Sequence, residues 1–468
     1  MTVLSEPLGV INVGLEGFRR ELEGQGIPVV QVDWRPPAGG DRALIELLSR
    51  LERPEIDEAN ARAVARMTES RPVWIDVERA GKAIPGLEGR TILHAGPAIE
   101  FGRMCDPQQR AVEGAARFEG WVSGREDLER QLERGEIVLR PNHLYGSVGA
   151  MTGVLSPSMP VVVAENEPFK NRSFSPFNEG KGNVIWLGAF DESTFARLRW
   201  LRDEFGPLLR AALRRIPGGL DIFKIVSEGI QMGDEVHARS AACTLILQRL
   251  LAPLLVESGA SADAVGRALR FIGGNNHFFL SLTLTACKCA AEAAHGIEGS
   301  TVVTAMTRNG VDFAIRVGGL GDRWFVAKAP RMDEAIYYSG YTVDDAAGDI
   351  GDSAIVETAG LGGMIIGAAP SIASFVGGTM AHARRAMGTL RRICVATNPR
   401  FAVGAVDFTP APVGIDIRKV VRTGVTPFID TGVLHKASGV GQIGTGIARA
   451  PLEVFVRALE AFASSAGR

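Results

Sequence analysis

Three polar clusters lie in glycine-rich, apolar sequence between residues 271 and 363. They are GGNNHFF (273–279), TRNGVDFAIR (307–316) and DIGDSAIVETAGLGG (349–363). Polar and charged side chains are costly to bury unless they are paired, so such clusters usually contact a ligand or satisfy one another. We therefore expect the chemistry of this chain to lie in these three segments.

The first cluster places Asn275, Asn276 and His277 after two glycines and before a strongly apolar run. Backbone amides that follow glycines at the start of a helix form an anion site, and Asn and His add hydrogen bonds without a fixed charge. The alternative is a histidine whose bonds are satisfied in the core. The two neighbouring amides favour a binding or catalytic role for His277.

The second cluster supplies Arg308, Asn309, Asp312 and Arg316. An arginine in apolar surroundings suits a planar carboxylate or a phosphate. Asp312 could instead neutralise either arginine, and this structural alternative stays open.

The third cluster leads through Asp349, Asp352, Ser353 and Glu357 into a glycine-rich loop. Paired carboxylates near such a loop could bind Mg²⁺ or hold a substrate amide. The spacing does not match the phosphate-loop pattern GxxxxGK[ST]. HExxH and GxSxG occur nowhere in the chain, so zinc-peptidase and α/β-hydrolase chemistry are not expected. The seven histidines are dispersed, which gives no reason to expect a histidine-rich metal centre.

The segment QMGDEVHARS (231–240) contains Gln231, Asp234 and His237. On a helix Asp234 and His237 are i, i+3 neighbours, so the carboxylate would orient the imidazole for general acid–base catalysis. A hydrogen-bond network between domains is the alternative, and both stay open.

Two further pairs are candidates for substrate binding. Glu165 and Asn166 end the buried strand VVVAEN, the position where α/β folds tend to present ligand-binding groups. His435 and Lys436 precede a glycine-rich run that could cradle a phosphate. A glycine-rich turn closing the last domain explains the same residues.

The elements that must position these residues begin with a strand, a helix and a second strand in the first 40 residues. This order predicts a Rossmann-like lobe. Asp33 ends the second strand, where dinucleotide-binding folds carry a ribose-binding acid, so it is the candidate cofactor ligand. Because GxGxxG is absent, a lobe without a nucleotide is favoured.

A chain of 468 residues is too long for one ordinary core, and we expect a multidomain α/β protein. The predicted parts are a Rossmann-like α/β domain at 1–135, a strand-rich segment at 136–190 that joins the C-terminal domain, a small helical subdomain at 191–273, and a glycine-rich α/β domain at 274–468 that carries the site.

Composition excludes several classes of partner. The net charge of −2 gives no field that would favour nucleic acid or an acidic membrane surface. Five cysteines without CxxC spacing, and no signal-peptide pattern, predict a reduced cytoplasmic protein. The charge-free segment 358–380 contains six glycines and a proline, which favours a buried loop and helix over a membrane span.

Several segments together resemble the YlbE/YahG-like bacterial family, over nearly the whole chain. The segments that carry the resemblance are INVGLEGF, SPSMPVVVAEN, QMGDEVHAR, GGNNHFF, GSTVVTAMTRNGVDF, DIGDSAIVETAGLGG and DTGVLHKASGVGQIG. Asn276 departs from the family pattern, in which we expect aspartate.

One branch of this family is similar to the AllG subunit of oxamate carbamoyltransferase. The resemblance implies phosphorolysis of a ureido acid such as oxalurate to carbamoyl phosphate and oxamate, in allantoin catabolism. It implies FdrA-like and further partner subunits, and we expect a homo-oligomer. His277 with Asn275 would bind the carbamoyl group, Arg308 or Arg316 an oxyanion, and His237 would transfer a proton.

Two other functions stay open. One is a non-catalytic scaffold subunit of an FdrA-like complex, which predicts internal salt bridges in the three clusters and no open cleft. The other is a CoA- or nucleotide-binding acyl-transfer enzyme centred on the N-terminal lobe.

Overall fold

The computed structural model describes residues 9–32, 34–375, 378–437 and 439–466. It is a mixed α/β structure, as predicted. The strands are β1 (Val10–Val13), β2 (Val29–Val32), β3 (Pro72–Arg79), β4 (Thr91–His94), β5 (Val138–Pro141), β6 (Pro160–Asn166), β7 (Arg172–Pro176), β8 (Leu220–Asp221), β9 (Val303–Asn309), β10 (Asp312–Val317), β11 (Trp324–Lys328), β12 (Ala335–Tyr337), β13 (Ile350–Gly351), β14 (Cys394–Val403), β15 (Thr409–Ile415), β16 (Phe428–Leu434) and β17 (Gln442–Arg449).

The helices follow in chain order. They are α1 (Glu16–Gly24), α2 (Arg42–Arg50), α3 (Pro54–Glu69), α4 (Ala80–Ala83), α5 (Asp106–Phe118), α6 (Arg125–Glu133), α7 (Glu192–Trp200), α8 (Gly206–Leu213), α9 (Ile222–Gln231), α10 (Ala241–Glu257), α11 (Ala262–Gly274), α12 (Leu280–Ala293), α13 (Ile355–Thr358), α14 (Pro370–Phe375), α15 (Met380–Arg391), α16 (Ile417–Thr423) and α17 (Leu452–Ala466).

The N-terminal strand, helix and strand form a small parallel unit, in which β1 pairs with β2. None of the residues of α1 is buried. The chain then turns to other sheets: β3 pairs antiparallel with β6, and β4 pairs parallel with β5. Backbone hydrogen bonds thus join strands that precede residue 135 to strands that follow it. The Rossmann-like lobe and the domain boundaries stay predictions.

Helix α12 forms the centre of the larger core. Every residue of α12 except Glu292 is buried, because the helix is enclosed by β6, β7, α3 and α13. The turn before α12 carries His277, and the neighbouring rings of Phe177, Phe205 and Phe278 pack within 6 Å of one another. The turn is therefore fixed by packing on its apolar side.

Two sheets of the C-terminal half face this core. One has the order β11-β10-β9-β13 and carries the second polar cluster, and the other has the order β12-β17-β16. The glycine-rich segment between them forms α13, a kinked turn at 362–368 and α14, much as predicted. In the described part of the chain, no helix is long and apolar enough to cross a bilayer.

Candidate functional site

A recess lies where the turn before α12, the loop before α10 and the β16–β17 pair meet. Its water-accessible volume is about 70 Å³. It brings His237 and His277 together, although 40 residues separate them in sequence. The other lining residues are Ala150, Met151, Trp186, Ala238, Leu280, Ser353, Thr431, Gly432, Gln442 and Thr445.

His237 lies in a loop, so the helical pairing with Asp234 that the sequence predicts is wrong. The loop forms because Gly233 leaves α9 with φ 96° and Val236 has φ 72°, neither of which a helix allows. The carboxylate of Asp234 instead accepts the backbone N–H of Cys243 at 2.8 Å, near the start of α10. It also lies 3.3 Å from the Nε of Arg239.

The carboxylate that orients His237 belongs to Glu357, 120 residues further along the chain. Its Oε1 lies 2.7 Å from the Nδ1 of His237 and accepts the backbone N–H of Gly363 at 2.9 Å. A carboxylate acceptor places the hydrogen on Nδ1 and leaves Nε2 for the recess that the ring lines. Gly362 allows this approach: a Cβ there would lie 2.1 Å from Glu357 Oε1.

Two more buried carboxyl groups surround this pair. The side chain of Asp430 is fully buried, and neither of its carboxyl oxygens has a hydrogen-bond partner among the described residues. Burial raises its pKa well above the ordinary value, and the nearby Glu235 and Glu357 raise it further. Burial likewise raises the pKa of Glu235 to about 8. Burial therefore favours the protonated form of both carboxyl groups, close to His237.

His277 faces the recess from the opposite side. Its side chain is open to water, yet enough protein surrounds it to lower its pKa, to which the neighbouring His237 and Arg239 add. Its backbone N–H donates to the Oδ1 of Asn275 at 3.2 Å, and the Asn275 amide donates to Asn178. Asn275 thus holds the turn, whereas Asn276 is exposed.

Arg308 does not reach the recess, because its guanidinium is fully buried and fully paired. It forms a two-bond ion pair with Asp349, at 2.7 and 2.9 Å. It also donates to the hydroxyls of Ser353 (3.3 Å) and Thr431 (3.1 Å), which line the recess. The prediction that Arg308 binds an oxyanion is therefore wrong in its geometry: the arginine fixes two hydroxyls that face the cavity.

Asp352 is fully buried among four donors rather than presented to a ligand. Its oxygens accept from Thr307, from the Asn142 amide at 2.8 Å, and from two backbone amides. Burial nevertheless raises its pKa. Because Asp349 and Asp352 are both bonded to protein donors, Mg²⁺ binding stays a prediction without assigned ligands. No group of three or more His, Cys, Asp or Glu side chains in the described ranges is arranged to hold a metal ion.

Comparison with known proteins identifies the relatives of this chain. The model of the oxamate carbamoyltransferase subunit AllG matches residues 137–353. The AllG subunit of Escherichia coli (strain K12) is 42% identical over 414 residues, which cover 88% of this chain and 99% of that protein. The uncharacterized protein YahG of the same strain is 37% identical over 462 residues, 98% of each chain. This chain belongs to the YahG/AllG-like family.

A solved structure supports the same assignment. The crystal structure of a conserved protein of unknown function from Enterococcus faecalis V583 has a TM-score of 0.85 and 40% sequence identity, and the match covers 88% of this chain and 98% of that one. The fold of this YahG/AllG-like chain therefore has a close solved counterpart.

Most other candidates bond to the protein outside the recess. Arg316 is buried and donates to Glu292 at 2.6 Å, so it is not free to bind an oxyanion. Asp312 pairs with Arg103 at 3.2 Å, not with Arg308. Asn309 is buried, and its Oδ1 accepts the backbone amide of Asp312 at 2.7 Å.

The candidates at strand ends and in the late glycine-rich run also have protein partners. Glu165 pairs with Arg172 at 2.9 Å, and Asn166 is buried and accepts the backbone N–H of Arg71. Gln231 donates to the main chain of Ala402.

His435 bonds at Nδ1 to Ala437, and Lys436 donates to the main-chain oxygen of Asp344. Asp33 lies outside the described residues.

Several residues that line the recess were not among the candidates from the sequence. Trp186 lies in a segment without a recognisable motif, whereas Gln442 and Thr445 lie at the end of the glycine-rich run after Lys436. The fold alone places all three beside the histidines. Thr431 follows the buried Asp430 in FIDTG. A carboxylate within an apolar strand pattern was the sequence feature that could have pointed to this position as a functional one.

Proposed function

We propose that this chain is a cytoplasmic subunit of a carbamoyltransferase-type enzyme that converts a ureido acid such as oxalurate, with phosphate, to carbamoyl phosphate and oxamate. The observation that carries the proposal is the recess in which the His237–Glu357 pair faces His277. The relationship to the AllG subunit of oxamate carbamoyltransferase supports the choice of reaction.

The reaction needs one proton transfer that suits His237. A phosphate oxygen bonds to the carbamoyl carbon, the C–N bond to the leaving amide breaks, and the leaving nitrogen takes a proton. His237, held through Nδ1 by Glu357, takes onto Nε2 the proton that phosphate loses and passes it to the leaving nitrogen.

Neutral donors on the recess wall bind the oxygens of the acid. His277 has a lowered pKa and is therefore uncharged at neutral pH, so it offers a hydrogen bond without a fixed charge. The hydroxyl of Ser353 accepts from Arg308, so it can turn its own hydrogen toward a ligand oxygen, whereas the hydroxyl of Thr431 donates to the main-chain oxygen of Gly432 at 3.3 Å.

Phosphate is the reactant that this chain is least equipped to hold. Among the described residues that line the recess there is neither lysine nor arginine. A phosphate dianion is usually held by such cations. We therefore assign phosphate binding to the FdrA-like and further subunits, so that the complete site forms only in the complex.

The test is an assay for phosphate-dependent formation of carbamoyl phosphate from oxalurate. The chain is assayed alone and together with its FdrA-like and third partner subunits. We expect turnover only in the complex, and we expect Glu357→Gln to abolish it while Glu165→Gln, which alters an exposed ion pair, does not. Absence of turnover in every combination would refute the proposal.

A non-catalytic scaffold role has one observation in its favour. The second and third clusters do form internal salt bridges, Arg308 with Asp349 and Arg316 with Glu292, as that hypothesis predicts. Its other prediction, that no cleft is present, is not met by the recess. Turnover that survives His237→Asn in the complex would favour the scaffold.

A further inference from the structure

A second cavity adjoins the recess and has no assigned role. Ala150, Trp186 and Leu280 line both spaces, so the two cavities lie on either side of these residues. The second cavity, called the chamber below, has a water-accessible volume of about 30 Å³. Since one water needs about 10–15 Å³ by this measure, the chamber has room for about two waters, or for a group of similar size.

The walls of the chamber are mainly apolar side chains. They include Val154, Met159, Phe177, Ile185, Leu198 and Leu201. Polar groups in such a wall specify a ligand, because they stay costly until something bonds to them.

Glu179 supplies a carboxyl group to this wall, with only 4% of the residue exposed. Its Oε2 accepts the backbone N–H of Ile185 at 3.0 Å. Arg197 donates to the main-chain oxygen of Glu179 at 3.1 Å rather than to the carboxyl group. The backbone N–H of Trp186 also bonds to the carboxyl group. Because a carboxylate has about four acceptor sites, it keeps capacity for a further donor.

Trp186 supplies the complementary group. Its indole Nε1 is buried, and it has no hydrogen-bond partner among the described residues. A buried tryptophan N–H usually finds an acceptor, so this donor is available to a carbonyl oxygen of a ligand.

We propose that the chamber binds the primary amide end of the ligand, with the amide NH₂ donating to Glu179 and the amide oxygen accepting from Trp186 Nε1. The remainder of the ligand lies in the recess beside His237 and His277. The inference rests on the proposed function in taking this amide to be the carbamoyl end of the ureido acid. It extends that function by naming the two residues that select the amide.

Burial of Glu179 supports the assignment. It raises the pKa of this carboxyl group to about 7, so the ionised and protonated forms have similar populations near neutral pH, and an N–H donor from the ligand favours the ionised one. A carboxylate on the ligand would be repelled here, which orients a ureido acid with its amide end inward.

The test compares oxalurate with N-acetyloxamate, in which a methyl group replaces the carbamoyl NH₂. Binding of each to the full chain is measured by calorimetry, without phosphate or partner subunits. We expect oxalurate to bind about tenfold or more tightly than N-acetyloxamate, since a site built for an N–H donor disfavours its apolar isostere. In Glu179→Gln this ratio should fall severalfold toward one, whereas Trp186→Phe should weaken both ligands severalfold, because both carry the carbonyl oxygen.

Trp324→Phe is the matched control, because its indole Nε1 is also buried without a described partner but lies away from both cavities. It should keep the affinity for both ligands, and thermal unfolding checks that all variants are folded. Equal affinity for oxalurate and N-acetyloxamate in the unmodified chain, an unchanged ratio in Glu179→Gln, or unchanged affinities in Trp186→Phe would overturn the inference. Because binding to the chain is measured without turnover, a preference for oxalurate together with no activity in the complex upholds the chamber while refuting the reaction.

Discussion

Two buried polar clusters lie on either side of the recess wall, and they differ in how completely they are paired. In the paired cluster, Arg308 bonds to Asp349, Ser353 and Thr431, and every group of its guanidinium has a partner. In the open cluster, which consists of Glu235, Glu357 and Asp430 beside His237, three carboxyl oxygens lack a described partner.

This difference in pairing distinguishes a cluster that stabilises the fold from one that can take part in proton transfer. A buried ion pair with all its bonds made holds strands β9, β13 and β16 in register and offers little to a ligand. Burial raises the pKa of Asp430 and of Glu235 in the open cluster, and perturbed pKa values are typical of functional sites. Arg308, which the sequence suggested as a ligand-binding group, thus belongs to the cluster whose hydrogen-bonding groups are all paired within the protein.

Removing the imidazole from the open cluster should produce the largest effect. His237→Asn should lower turnover by the complex about 10²–10⁴-fold, because the leaving amide loses its proton donor. Steady-state assay of kcat measures this. His382→Asn, an exposed histidine outside the recess, is the control and should keep full activity. A fall of less than about tenfold for His237→Asn would contradict the assigned role.

Breaking the paired cluster should act on stability instead. Arg308→Met should lower the free energy of unfolding by about 3–5 kcal/mol, because Asp349 is left as a buried, unpaired charge. Denaturant unfolding measures the change. Arg103→Met removes the partly exposed pair with Asp312 and should cost no more than about 1 kcal/mol. Equal losses in the two variants would show that Arg308 is not the structural centre we describe.

Replacing Asp430 in the open cluster should increase stability at high pH, whereas loss of Arg308 decreases it. The raised pKa of Asp430 means that the folded chain keeps a proton that the unfolded chain releases above about pH 4. The contribution of this group to stability is therefore full at low pH and declines as the pH rises toward its folded pKa.

Asp430→Asn removes that titration. Its unfolding free energy, relative to the unmodified chain, should rise between pH 4 and 8 by on the order of 1 kcal/mol or more. Denaturant unfolding at several pH values measures the slope, and the exposed Asp407→Asn should leave it unchanged. A relative stability that stays flat or falls with pH would contradict the raised pKa.

The smallest effect is expected where the two clusters meet. Ser353→Ala removes one neutral hydroxyl that Arg308 aligns toward the recess, and kcat/KM should fall about tenfold. Unfolding should change little, because Arg308 keeps its bonds to Asp349 and to Gly351. A loss of stability comparable to that of Arg308→Met would place Ser353 in the structural group instead.

Local sequence patterns predicted helices and strands well where the secondary structure of a segment depends mainly on its own residues. Helix α3 follows from its apolar spacing and from Pro54 at its start, and strand β6 from an unbroken apolar run. The i, i+3 pairing of Asp234 with His237 was wrong, because Gly233 and Val236 have positive φ and the segment is a loop. The main-chain oxygen of Glu235 in this loop accepts the N–H of Gly362 from a distant segment. The fold brings His237 and His277 together at the recess, and their catalytic roles stay predictions.

The sequence by itself determined the family, the helices and strands of much of the chain, and the segments that bring polar side chains into the interior. Residue types and spacing carry that information because burial and backbone preference act locally. Only the tertiary structure decided that Glu357 rather than Asp234 orients His237, that Arg308 is fully paired, and that Glu179 and Trp186 line the same small chamber. Partners of buried polar groups come from distant segments, and the fold alone brings them within hydrogen-bonding distance.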